Sequence, residues 1–130
     1  MRNTVRAVPV LAWAGLIFAI SSFSNPPGAT GGEPVSQLAH VVEYAVLGFL
    51  LARFLAAVLP HGRQAGLAAA WLICVLYGVS DEWHQSFVPN RDSTIVDVYF
   101  DAAGAALGTA AWALSGRWRG CRGAGTGPGS

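Results

Sequence analysis

Apolar residues dominate four stretches of the chain, residues 5–23, 35–59, 65–80 and 94–114, and polar residues gather in the short connections between them. A helix needs about 20 mostly apolar residues to cross a bilayer, with a lower limit near 17. Three runs meet that length and the third in order is marginal. A soluble core helix would carry a polar face at helical period, yet "VPVLAWAGLIFAI" and "GLAAAWLICVLYGV" contain no charged residue. The pattern predicts an all-α, polytopic membrane protein, a compact bundle of four transmembrane helices. Residues 1–115 form the membrane domain. Residues 116–130, rich in glycine, form a flexible cytoplasmic tail.

Breakers set the boundaries. Pro9 is tolerable near the start of the first helix, and "SNPPGATGGEP" makes an irregular loop after it. Pro34 or Ser36 suits the start of the second helix, and Pro60, His61 and Gly62 turn the chain after it. The third helix ends at the acidic stretch. The fourth starts after "PNRDST", capped by Asp92, Ser93 or Thr94, and stops before Gly116. A cleaved signal peptide would also begin with basic residues and an apolar run. A run of about 19 residues without a clear A-x-A site favours a retained helix.

Composition sharpens the picture. The chain is 53% hydrophobic and 12% charged, and its net charge of +1 says nothing about partners. The distribution does. Arg2 and Arg6 precede the first run, Arg53 and Arg63 flank the second connection, and Arg117, Arg119 and Arg122 follow the fourth run. Short cytoplasmic loops retain arginine, so both termini and the middle connection are expected in the cytoplasm. Topology thus explains these arginines, and no nucleic-acid partner is expected. Glu33, Glu43, Asp81, Glu82, Asp92, Asp97 and Asp101 then fall in or near the outer half. Cys74 inside a helix and Cys121 in the tail predict two unpaired thiols.

Helical spacing aligns the polar groups. Asp97, Asp101, Gly104, Gly108 and Ala111 share a stripe, in which Gly104 and Gly108 form a G-x-x-x-G for close helix packing. The second helix aligns His40, Tyr44, Leu47 and Leu51, with Glu43 beside them. The third aligns Trp71, Cys74, Gly78, Asp81 and Gln85. An unpaired charge in the apolar slab costs about 3 kcal/mol on insertion scales, so these groups must face protein and find partners. Arg91 can clamp two carboxylates, or one carboxylate and an anionic ligand.

The expected polar cluster is therefore His40, Glu43, Tyr44, Asp81, Glu82, Gln85, Arg91, Asp97 and Asp101. In a binding site, Arg91 holds an anion, Asp81, Glu82 and Asp97 orient Arg91, and His40 with Asp101 sets the protonation. A purely structural staple of four helices uses the same residues. In an enzyme, carboxylates crowded in low dielectric cannot all stay ionised, and Asp97, Asp101 and His40 become catalytic acid-base groups. No nucleophile elbow and no phosphate loop stand out. No metal and no cofactor are expected, since H-E-x-x-H and C-x-x-C are both absent and "HVVE" alone is a weak signal. His84 reads as an exposed interfacial residue, and the tryptophans read as interface anchors or packing.

The stretch "DEWHQSFVPNRDSTIVDVYFDAAGAALG" resembles the VanZ-like membrane protein family, whose pattern is D-E-x-x-Q, an apolar-proline step, an arginine, D-x-x-x-D and spaced glycines. Here these are Asp81, Glu82, Gln85, Phe87, Val88, Pro89, Arg91, Asp97, Asp101, Gly104 and Gly108. "SSFSNPPG" and "HVVEYAVLGFLLAR" are similar to the family's first loop and second helix, so the resemblance covers roughly residues 10–115. Two positions depart from it: Gln37 replaces a common lysine, and Asn90 replaces the usual glycine before the arginine.

The resemblance implies a multi-pass protein of the bacterial cytoplasmic membrane, and the family's namesake is associated with resistance to teicoplanin. The leading expectation is a pocket that binds or shields an envelope component and lowers glycopeptide susceptibility. An acid-base enzyme acting on a lipid-linked substrate is the second, and a proton-coupled transporter the third. The expected partners are the lipid bilayer, a lipid-linked or anionic envelope ligand, and a second copy of the chain.

Overall fold

The computed structural model describes residues 1–24, 31–59 and 62–123. It is all-α, with four helices: α1 (Arg2–Ser21), α2 (Glu33–Val58), α3 (Gly62–Gln85) and α4 (Ile95–Gly123). The irregular loop expected at 25–30, the turn at Pro60 and His61, and the tail residues 124–130 lie outside the described residues.

Each boundary has a local cause. Pro9 falls two turns inside α1, which begins at Arg2 rather than near Val5, so only the Val5 carbonyl loses its amide partner. Gly32 precedes α2 at φ 76°, a backbone region that suits glycine, and Pro34 sits in the first turn. Leu59 leaves α2 in extended conformation, as a residue before proline prefers. The third helix does not stop at Asp81. Nothing between Ser80 and Gln85 breaks a helix, so α3 carries Asp81, Glu82 and Gln85 in its closing turns. Nor does α4 stop before Gly116; it continues to Gly123, because a glycine costs a helix only about 1 kcal/mol.

Helix α2 lies at the centre, packed most extensively on α4 and also on α3 and α1. Glycines let it approach α4. A β-carbon on Gly104 would collide with the Val41 carbonyl, one on Gly108 with the Ala45 carbonyl, and one on Gly48 would stand 2.6 Å from the Ala105 carbonyl oxygen. The expected G-x-x-x-G is thus a backbone contact between α2 and α4. Ile17, Tyr44, Leu47, Leu51, Ala70, Cys74 and Ala105 fill the core beside it.

The distribution of polarity is the reverse of a soluble protein. Leu11, Leu76 and Leu107 are exposed, whereas Asp81, Glu82 and Asp101 are 4%, 5% and 0% exposed. Helices α1, α2 and α3 are long and apolar enough to cross a membrane, and together with this surface they mark a membrane protein. Helix α4 falls short of that apolarity despite its 29 residues. Its alanines and glycines serve close packing, and Asp97 and Asp101 lower its hydropathy.

Candidate functional site

The acidic ends of the helices meet at one end of the bundle. His40 of α2 and Asp101 of α4 join through Nδ1 and Oδ1 at 2.8 Å, both buried, a contact that is ionic when His40 is protonated and the one such pair among the described residues. The fit depends on Gly78 of α3, where a β-carbon would come within 2.8 Å of Asp101 Oδ2. Three helices therefore define the position of one carboxylate.

Asp81 forms a second node. Its Oδ2 accepts hydrogen bonds from the Ser21 hydroxyl of α1 at 2.9 Å and from the Gln85 amide, one turn along α3, at 3.0 Å. The Gln85 amide also reaches Ser21 Oγ at 3.2 Å. Glu82 is fixed from the other side: the Thr94 amide donates to its Oε2 at 3.2 Å, and the Ser93 hydroxyl donates to its carbonyl oxygen at 2.7 Å. Each acid keeps one oxygen buried without a hydrogen-bond partner, namely Asp81 Oδ1, Glu82 Oε1 and Asp101 Oδ2; the Tyr44 hydroxyl and Arg91 Nε are in the same condition. Buried polar atoms are ordinarily satisfied, so five in one cluster distinguish this place among the described residues.

A cavity of about 530 Å³ opens beside these nodes, with Ser21, Ser36, His40, Glu43, Arg91 and Asp97 among its walls. Its size is that of a small-ligand pocket. The structure thus brings His40, Glu43, Tyr44, Asp81, Glu82, Gln85, Arg91, Asp97 and Asp101 to one end of the bundle, and packs Gly104 and Gly108 against α2.

Two expected relationships differ. Arg91 makes no ion pair with Asp81, Glu82 or Asp97 among the described residues; it borders the cavity instead, because its loop turns at Asn90. Asn90 stands at φ 59°, where asparagine is among the few residues with a side chain tolerated. That accounts for the glycine expected there. Asp97 and Asp101, one turn apart, also occupy different surroundings. Asp97 is half-buried in the first turn of α4 and accepts the Thr94 hydroxyl at 2.9 Å, as a helix start favours. Asp101 lies fully inside.

Sequence reading missed Ser21, Gly78, Ser93 and Thr94 as the groups that hold the acids. A polar residue at the end of an otherwise apolar helix was the available signal for Ser21. His84 is less exposed than expected, stacked on Phe18 with ring centroids 4.6 Å apart and with Nε2 3.1 Å from Ser22 Oγ. Gln37, at the departing lysine position, borders the cavity.

The family model described as VanZ/LLP1 matches residues 3–116. No curated protein and no solved structure matches the chain.

Proposed function

The chain belongs to the VanZ/LLP1 family, and from that premise we propose that its polar cavity binds or shields a cell-envelope component. Membership fits a membrane protein of a family associated with teicoplanin resistance. In the proposed arrangement all four helices cross a bacterial cytoplasmic membrane, and both termini and the α2–α3 connection face the cytoplasm. The cavity then opens outward, where envelope precursors and glycopeptides are found.

The observation that carries the reading is Arg91. Arg91 lines the cavity, its buried Nε has no hydrogen-bond partner, and the planar fork of a guanidinium suits an oxyanion. An anionic or lipid-linked headgroup is the chemistry that fits. Ser36 and Gln37 supply neutral donors around it. Residues 1–115 would constitute the functional membrane domain.

A second reading has its own support. The His40–Asp101 pair resembles a base with its orienting carboxylate, and His40 borders the cavity. Such a pair suits proton transfer on a lipid-linked substrate, with Asp97 as a further acid at the rim.

Expression in a glycopeptide-sensitive Gram-positive host separates these readings. Wild type should lower teicoplanin susceptibility, and Arg91→Ala and Asp101→Asn should abolish that effect at equal membrane levels. Unchanged susceptibility with wild type would overturn the drug-related reading. Retained binding of an envelope lipid by Asp101→Asn, with loss of protection, would favour the acid-base reading.

A further inference from the structure

His40, Glu82 and Asp101 lie on three different helices, and each offers a ligand atom within 4.8 Å of the other two. All three side chains are more than nine-tenths buried. Glu82 has Oε2 held by the Thr94 amide and Oε1 unpartnered; Asp101 has Oδ1 held by His40 and Oδ2 unpartnered. The fully buried Tyr44 hydroxyl, one turn along α2 from His40, is unpartnered as well.

Two carboxyl groups with free oxygens in one apolar interior are costly as ions unless protons neutralise them or a cation joins them, and a divalent cation does the second for both at once. His40 supplies half of the compensation at most. Asp81 and Asp97 act on Asp101 through space with further negative charge, and Arg91 is the nearby permanent cation at the cavity. An imidazole nitrogen with two carboxylate oxygens is the mixed donor set of zinc and its first-row neighbours, whereas calcium prefers oxygen alone. Three protein ligands leave a position open. Of the three, His40 lines the cavity, so an ion would enter past its ring.

We propose that His40, Glu82 and Asp101 bind one divalent transition-metal ion, with zinc as the reference ion, at the wall of the cavity. Zinc at about 2.1 Å from each donor sets the donors about 3.4 Å apart, so the 2.8 Å His40–Asp101 contact opens, or Asp101 turns its free Oδ2 to the ion, as Glu82 moves in. The constraints on Glu82 from Thr94 and on Asp101 from Gly78 keep both carboxylates within that reach. Metal binding can be measured without any envelope ligand, so its failure is separate from failure of the proposed function.

The test uses the full chain purified in detergent, stripped with a chelator and dialysed against zinc chloride. One zinc per chain is expected. Glu82→Gln and His40→Gln should each weaken binding at least tenfold, while His84→Gln, outside the triangle, should leave it unchanged. X-ray absorption on the zinc-loaded wild type covers the case of variants that do not fold. It should show imidazole and oxygen at about 2.0–2.2 Å. Absence of stoichiometric zinc on folded wild type, a first shell containing sulfur from Cys74, selective binding of calcium, or equal affinity in folded Glu82→Gln and His40→Gln would overturn the proposal.

Discussion

A β-carbon on Gly78 would stand 2.8 Å from Oδ2 and 3.1 Å from the β-carbon of Asp101. The two residues lie on adjacent helices, and the missing side chain of one is the space occupied by the other. Because His40 holds the opposite oxygen of Asp101, the carboxylate has little freedom to retreat. Gly78→Ala should therefore disturb the site more than the fold. Overpacking of this kind costs about 1–3 kcal/mol. Unfolding in detergent should show that loss with helical content retained, and protection against teicoplanin should fall. A variant with wild-type stability and wild-type function would refute the relationship.

Gly108 tests the helix interface instead. Its hydrogen faces the Ala45 carbonyl, and backbone yields less readily than a side-chain tip. Gly108→Leu should separate α2 from α4 and reduce the folded fraction severely, read as loss of membrane-inserted protein. Gly15, with nothing within 4 Å, is the control. Gly15→Ala should be neutral or stabilising by up to about 1 kcal/mol.

His40 and Asp101 should behave as one unit. Either His40→Gln or Asp101→Asn alone leaves a buried partner unpaired, so the double variant should lose less stability than the two single losses combined. A coupling of about 0.5–3 kcal/mol is expected from a double-mutant cycle. Strict additivity would mean that the 2.8 Å contact contributes nothing.

Ser21→Ala removes one of the two donors on Asp81 Oδ2, while Gln85 keeps the other. Interhelical hydrogen bonds in membrane proteins average about 0.6 kcal/mol and reach about 1.7. Ser21→Ala should fall in that range, and the combined change with Gln85→Ala should exceed it. Thermal or denaturant unfolding in detergent measures both.

The proposed topology predicts accessibility. In a background lacking Cys74 and Cys121, a cysteine at Ser86 should react with a membrane-impermeant thiol reagent on intact cells. A cysteine at Gln64 should react only after permeabilisation. The opposite pattern would invert the protein and close the cavity to the outside.

What the sequence determined was the set of elements and their polar stripes. Unbroken apolar runs produce helices whatever their neighbours, and i, i+4 spacing aligns His40 with Tyr44 as i, i+3 spacing aligns Asp101 with Gly104. Proline and glycine located most boundaries, but their mild cost let α4 pass Gly116. The spaced motifs from Asp81 to Gly108 also carried the family. Partnership was a matter of tertiary structure. Residues 40 and 101 are 61 positions apart, and whether they meet depends on how α2 and α4 are rotated and how closely their glycines let them approach. The same packing gave Gly78 its purpose, turned Arg91 toward the cavity rather than onto the acids, and gathered three metal-ligand types that show no spacing motif along the chain. Local periodicity fixes which face a residue occupies; only packing between helices decides what that face meets.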